Sequence, residues 1–561
     1  MAKFDEEYNG ISRTECIRGM NMGPADSRAS YISQIGDLGA VVMSTLGLLD
    51  EVAKMVKDAS PKVQEQALIA IGKMGGDAKN YTTEVTACVL GSTFSAVQIA
   101  ACNTLGVIRE TPQFSKGQVR QLIVSPNVDL SLAAIACLGK LNATDAIGDL
   151  IKLLSNEVPA VAAAAAKALG DIGDADQVVP EMANLLESQE YLMRRAALTV
   201  VKSSGKAATK YSATVVKLLG DSDPVVRQLA VDIYSMLGDD AKPLLDKTVK
   251  ILSGQEGAAK CAAAMALGSM GAESCAPKLA ELLTDTFEEL ASQDLWLKCT
   301  IKRPPVAMRR TCCAGAMALS MLGEKGAAYA KDVSKLLRDD NWEVRVGALE
   351  ALGGMGKAGA AFEPVVVEMF SDSEVAVVCA ALIACGKMGE AVGGSSKEVV
   401  EKVAKKLTVQ QAFIRTAAAK ALCYMGLEVQ GQHEALIKAF DDRCPRVKVN
   451  AMEAVARSGP IGTLLAPRIG VMFRDENRLV RAGAVSVMPI MGERGANLLD
   501  EMTFLLEDPE AEVRAACVTA IGAFGGQSSY LYEAVESMKQ DSAESVRSAA
   551  AVAAVSIAEA S

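Results

Sequence analysis

Apolar residues recur along this chain at intervals that only a helix brings to one side. Counted from Val344, Ala348, Ala351, Leu352 and Met355 lie four, seven, eight and eleven residues on, and Gly353 and Gly356 follow at nine and twelve. The apolar offsets share one face of a 3.6-residue helix. The pattern returns clearly from Val226, Val377, Ile414, Val447, Val480 and Val513. It returns more loosely from Ser27, Val63, Val97, Leu130, Val161, Met193, Ala259, Thr311 and Val546. Before each origin runs a second apolar stretch of helical period, such as Ala327 to Leu337 or Asn497 to Leu506. Each unit therefore reads as a helical hairpin, and repetition at this period marks a solenoid.

The turn inside each hairpin is polar, as in Asp221 to Pro224 and Glu507 to Glu510, which suits an N-cap followed by Pro at the first helical position. Glycine at offset twelve is a helix stop. Alanine at offsets four and seven keeps the second helix thin, so neighbouring hairpins can approach closely. The closing positions (Gly39, Gly75, Arg109, Asn142, Gly173, Gly205, Gly238, Gly271, Gly323, Gly356, Gly389, Gly426, Gly459, Gly492, Gly525, Ala558) step by 31 to 37 residues, with one step of 52. That count predicts an all-α array of about 15–16 hairpins over residues 1–561, interrupted by an inserted loop at 283–305. No strand is expected.

A chain of 561 residues would ordinarily hold several globular domains, but the repeat makes this one array. Half the residues are apolar and 4% aromatic, which fits cores of Ala, Val, Leu and Met. The opening MAKFDEEYNG is charged where a signal peptide needs an apolar run, and no apolar segment is expected to approach the length of a membrane span. A cytoplasmic protein is the expectation. Several of the fourteen cysteines stand in for template residues (Cys137 and Cys517 for Ala, Cys385 for Leu, Cys423 for Gly), so buried reduced thiols are expected. The adjacent Cys312 and Cys313 stay open as a reactive pair.

An acidic residue in the turn stands six positions before a basic one in the second helix at Asp221 and Arg227, Asp339 and Arg345, Asp442 and Lys448, Asp475 and Arg481, Asp508 and Arg514, and Asp541 and Arg547. With the repeat itself, this resembles the HEAT and armadillo-like α-solenoids, especially their short HEAT-like repeats. The resemblance implies a right-handed α-α superhelix with second helices on the concave side, and a hydrogen-bonded ladder between repeats at those twelve residues. The early hairpins depart from the pattern, with Asp58 before Gln64 and Asn156 before Ala162.

No catalytic residue, cofactor site or metal site is expected. HEAT-like metalloenzymes need several His-Glu pairs, whereas this chain has one histidine, His433, read as a solvated residue opening a first helix. It has no phosphate loop and no CxxC pair. A net charge of −10 with few aromatics argues against nucleic acid. The expected function is a non-enzymatic protein–protein scaffold or adaptor acting within a multi-protein complex. A fixed component of a cytoskeletal or axonemal assembly in a cilium is one alternative, and a HEAT-like lyase-type chromophore chaperone is another.

Two regions are candidate partner-binding sites. The insertion holds Trp296, Lys298, Lys302 and Arg303, a basic island with an aromatic anchor on an acidic chain. The second is a row at offsets two and six of the second helices, which point away from the buried stripe. Those offsets are polar at Lys167, Arg195, Thr199, Gln228 and Asp232. They become apolar at Cys261, Met265, Cys313, Met317, Val346, Cys379 and Ile383, interrupted by Glu350. Such a strip suits a groove for an amphipathic helix or extended segment. Burial between adjacent second helices is the competing explanation.

Overall fold

The computed structural model describes residues 7–8, 11–37, 43, 46–109, 113–172, 182–288, 310–541 and 543–560. The chain divides into two compact units, Met1–Ala241 and Lys242–Ser561. Each of the sixteen sequence origins falls in a second helix. In the first unit these are Ala25–Asp37, Pro61–Lys73, Ser95–Ile108, Val128–Lys140, Pro159–Ile172, Tyr191–Ser203 and Pro224–Leu237. In the second they are Gly257–Ser269, Thr311–Ser320, Trp342–Gly354, Val375–Val392, Ala412–Met425, Pro445–Arg457, Arg478–Ser486, Ala511–Ala523 and Glu544–Ala560. The hairpins are numbered one to sixteen in this order. Within each unit, consecutive second helices pack on one another and each is covered by the first helix of its own hairpin.

Two glycine positions set this geometry. At offset nine, glycine lets the next second helix come to backbone contact: a Cβ at Gly386 would stand 2.8 Å from Ala421 Cα, and one at Gly139 2.9 Å from Ala168 Cα. At offset twelve the chain reverses with positive φ, +55° at Gly426 and +53° at Gly525. Arg109 (+60°) and Asn142 (+50°) also take positive φ despite their Cβ atoms, so the position, and not glycine alone, specifies the turn. Gly389 and Ala558 are corrections: neither ends a helix, because Val375–Val392 runs on to a left-handed Gly393 and the last helix reaches Ala560.

The N-caps follow expectation, with Asp223 accepting from Val225 and Val226 amides and Pro224 at the first helical position. Pro509, however, precedes the cap residue Glu510. The first helices depart from a simple helix. The run expected from Ala327 to Leu337 is Ala330–Lys335 followed by a 3₁₀ turn, Leu336–Arg338. Short 3₁₀ segments recur in most first helices, as at Gly75–Tyr81 and Gly525–Leu531.

Strand is present after all, as a two-residue antiparallel pair, Glu7–Tyr8 with Ile11–Ser12, and an isolated bridge between Glu288 and Arg310. A further correction concerns Val375–Val392, which is long and apolar enough to cross a membrane by length and composition. Half of it is buried, and it packs between the second helices of repeats ten and twelve.

Candidate partner-binding face and the repeat ladder

The six-residue Asp–Arg spacing makes a local clamp, and most of the same side chains also link repeats, but to partners in the neighbouring repeat and not to each other. Arg481 donates Nη1 to the carbonyl oxygens of Asp475 (3.0 Å) and Glu476 (3.2 Å) in its own turn. Its Nε and Nη2 reach the Asp508 carboxylate, 27 residues on, at 2.7 and 2.9 Å. Asp508 Oδ1 also accepts the Glu510 amide at 2.9 Å, so one carboxylate shapes its own turn and ties down the preceding repeat. Arg345 with Asp372, Arg415 with Asp442, Lys448 with Asp475 and Arg514 with Asp541 repeat the rung at 2.7–2.9 Å. Arg547 bonds the Asp541 carbonyl at 2.7 Å, and Arg227 the Asp221 carbonyl at 2.8 Å.

Sequence reasoning paired residues within a turn and so missed the rung partners Arg194, Asp372 and Arg415, as well as Lys260 with Asp285. A spacing of 27 residues for the arginines, and of 25 for Lys260, was the available signal. Asp339 receives no such arginine, because Cys312 stands where one would be. In the first unit Arg28 does form a rung with Asp58 at 2.8 Å, while Gln64 caps the Asp58 carbonyl. The Arg415 bond holds the Asp442 carboxyl below the usual carboxylate range. Burial pushes the Asp372 and Asp508 carboxyls up, but their arginine and amide bonds outweigh it and both end low.

Three of the polar offsets of the first unit, Arg195, Gln228 and Asp232, are engaged by neighbouring side chains. Arg195 lies over the Tyr191 ring and pairs with Asp223 at 2.6 Å, and Asp232 accepts from Lys202 and Gln228 at 2.7 and 2.8 Å. The apolar offsets of the second unit split. Cys261 and Cys313 are buried, and Cys313 fits against Gly347, whose Cβ would stand 2.8 Å from its sulfur. Met265, Met317, Val346, Cys379 and Ile383 are half-buried, on four consecutive second helices. Glu350 interrupts the row. Water reaches it, yet the surrounding protein raises its carboxyl pKa, with Lys387 acting in the opposite direction.

The insertion residues Trp296, Lys298, Lys302 and Arg303 lie outside the described residues. Of the expected 283–305 segment, Leu283 and Thr284 still belong to a 3₁₀ turn. Arg310 is buried, paired with Glu288 at 2.5 Å and Glu343 at 3.3 Å, while Thr311 Oγ1 donates to Asp285 at 2.9 Å.

Among the described cysteines ten are buried and three half-buried, and no cluster of three or more His, Cys, Asp or Glu could hold a metal ion. Burial pushes the Cys102 and Cys517 thiols up to about 12. The Cys312 and Cys313 sulfurs lie 4.0 Å apart; their contact lowers Cys312 and, with burial, raises Cys313. His433 is half-buried, not solvated, and its Nε2 lies 2.7 Å from Ser458 Oγ.

Two-helix units stacked through their second helices define an α-solenoid. A HEAT repeats model matches residues 118–202, 330–423 and 465–558, and a PBS lyase HEAT-like repeat model matches 259–285, together just over half the chain. The chain belongs to the HEAT-repeat family. Its fold is similar to that of yeast importin-beta (Kap95p), with a TM-score of 0.51 and 13% identity over 98% of this chain and 78% of that one. The Kap95:Nup1 complex aligns at 0.46 and 13% identity, over 98% and 78%. Karyopherin Kap121p bound to the extreme C-terminus of the protein phosphatase Cdc14p aligns at 0.43 and 12%, over 97% and 71%. No curated protein matches the sequence.

Proposed function

We propose that the chain is a non-enzymatic protein-interaction scaffold or adaptor that works in the cytoplasm within a multi-protein complex. Its docking face is the half-buried row Met265, Met317, Val346, Cys379 and Ile383. The observation that carries this reading is the row itself: offsets that are polar in the first unit are apolar here and still reach solvent. Thioether and branched side chains adapt to the apolar face of a partner helix or extended segment.

Met265→Lys and Met317→Lys test it. If the row is a docking face, thermal stability stays within about 0.5 kcal/mol of wild type, as for exposed positions, and partners recovered from the native source are lost. A loss of several kcal/mol, as expected for a charge forced into a packed junction, overturns it. Unchanged stability with an unchanged partner set overturns it equally.

A further inference from the structure

Repeats twelve to fourteen carry apolar residues on the edge where each second helix hands over to the next hairpin. Thirteen residues past the origin other repeats have Asp239, Glu324, Lys357, Glu390 and Glu493, but repeat twelve has Leu427. At offset ten, repeats eleven and thirteen have Lys387 and Arg457, but repeat fourteen has Ile490. Ile461 and Leu464 lie on either side of Gly462 and Thr463 in the chain, and Thr463 lines the same cavity as Leu427 and Ile490. All four apolar residues stand out, with exposures of 45 to 60%. Leu427 and Ile490 line one cavity, and exposed apolar residues that share a site mark an interaction surface more than scattered single residues do.

A cavity of about 440 Å³ opens among them, with Tyr424, Leu427 and Ile490 on its sides and Ala456 in its lining. Leu427 lies against the backbone of Gly459, where a Cβ would stand 2.7 Å from Leu427 Cδ2 and where φ is +82°. The charges lining the cavity are of opposite sign, Arg457 and Glu390. Glu453 answers both Arg457 (3.2 Å) and Lys420 (2.9 Å), so one carboxylate serves two cations, and Lys420 also lies 5.4 Å from the Tyr424 ring centre. Glu390, also in the lining, is exposed and bonds no cation among the described residues.

We propose that this groove seats a short amphipathic helix of a partner protein. One Leu, Ile or Phe side chain enters the cavity between Leu427 and Ile490, an acidic residue faces Arg457 and a basic residue faces Glu390. The charge pattern selects this occupant: a carboxylate completes the Arg457, Lys420 and Glu453 group, and a cation completes Glu390. An apolar side chain alone would use neither charge. The site shares no residue with the Met265 to Ile383 row and stands independently of it.

The test selects a display library of short helical peptides against the full chain. Enriched peptides should carry an apolar anchor with an acidic residue on one side and a basic residue on the other. They should bind a Leu427→Asp, Ile490→Asp variant roughly tenfold or more weakly, the scale of a lost anchor, with its melting temperature unchanged. Arg457→Glu should weaken them too, and exchanging the peptide's acidic residue for Lys should restore part of the affinity. The proposal is overturned if the enriched peptides bind the Asp variant as well as wild type, if they lack the paired charges, or if nothing is enriched. Enriched peptides that bind Ile490→Asp like wild type but are lost with Met317→Lys also overturn it and point back to the row.

Discussion

Within the second unit, repeats eight to eleven and repeats twelve to sixteen are joined by different chemistry. In the C-terminal group every junction has a rung: Arg415 with Asp442, Lys448 with Asp475, Arg481 with Asp508 and Arg514 with Asp541. In the earlier group rungs alternate with gaps, because Lys260 and Arg345 are followed by Cys312 and Val378 at the ladder position. Where the rung is missing, a glycine brings the helices to contact. Gly347 sits on Cys313 at the junction of repeats nine and ten, and Gly386 on Ala421 at that of eleven and twelve. At the junctions of repeats twelve with thirteen and fourteen with fifteen, the offset-nine residues are Cys423 and Pro489, and the rung is present. Close glycine approach is not confined to those junctions: Gly268 on Ala318, Gly353 on Ala384 and Gly522 on Ala553 stand beside rungs. Close backbone approach and a charged, hydrogen-bonded turn are thus separable ways of holding neighbouring hairpins, one dispersive and steric, the other polar, and some junctions use both.

The largest expected effect comes from crowding a junction without a rung. Gly386→Val places atoms where even a Cβ is 2.8 Å from the Ala421 backbone, and it should cost about 3 kcal/mol, read by urea unfolding. A loss below about 1 kcal/mol would show that the contact is not what joins repeats eleven and twelve.

Next is Arg481→Ala, which removes a two-pronged bond to a nearly buried Asp508 and leaves two turn carbonyls uncapped. About 2 kcal/mol is expected, with Arg481→Lys milder and a double-mutant cycle with Asp508→Ala showing coupling. Additive effects in that cycle would separate the clamp from the rung.

Acid should distinguish the two groups more gently. Asp442, Asp372 and Asp508 titrate below their unfolded values, so the stability they supply is complete above the unfolded carboxylate pKa, near 4, and is lost as pH falls through the folded values. Asp442 and Asp508 both tie together repeats twelve to sixteen, so amide exchange over residues 412–541 should rise at higher pH than over 311–338, where Cys312 leaves Asp339 without a rung. Simultaneous loss of protection would defeat the distinction.

The smallest effect should come from Cys312→Arg, which offers Asp339 the missing partner. The glycine contact already holds that junction, so the gain should stay within about 1 kcal/mol, measured as a melting shift.

The sequence alone determined the repeat, its sixteen origins, the second helices and most of their reversals, because each is written within one hairpin's length. Offset twelve was legible even at Arg109 and Asn142, where the residue type gave no hint and only the spacing did. The failures share a cause. Gly389 lies inside a helix because the following residues Glu390 to Val392 continue it, and the first helices tighten into 3₁₀ turns as they are fitted over the second helices. The ladder residues were legible while their partners were not. Asp508 sits six residues before Arg514, but its carboxylate faces Arg481 because stacking brings the turn of one repeat beside the helix of the one before. Which offset-two and offset-six side chains are buried, Cys261 and Cys313 but not Met265 or Met317, was likewise decided by how closely neighbouring helices approach. Residue spacing fixes which side of its own helix a side chain takes, and only the packing of the next helix settles whether that side meets protein or water.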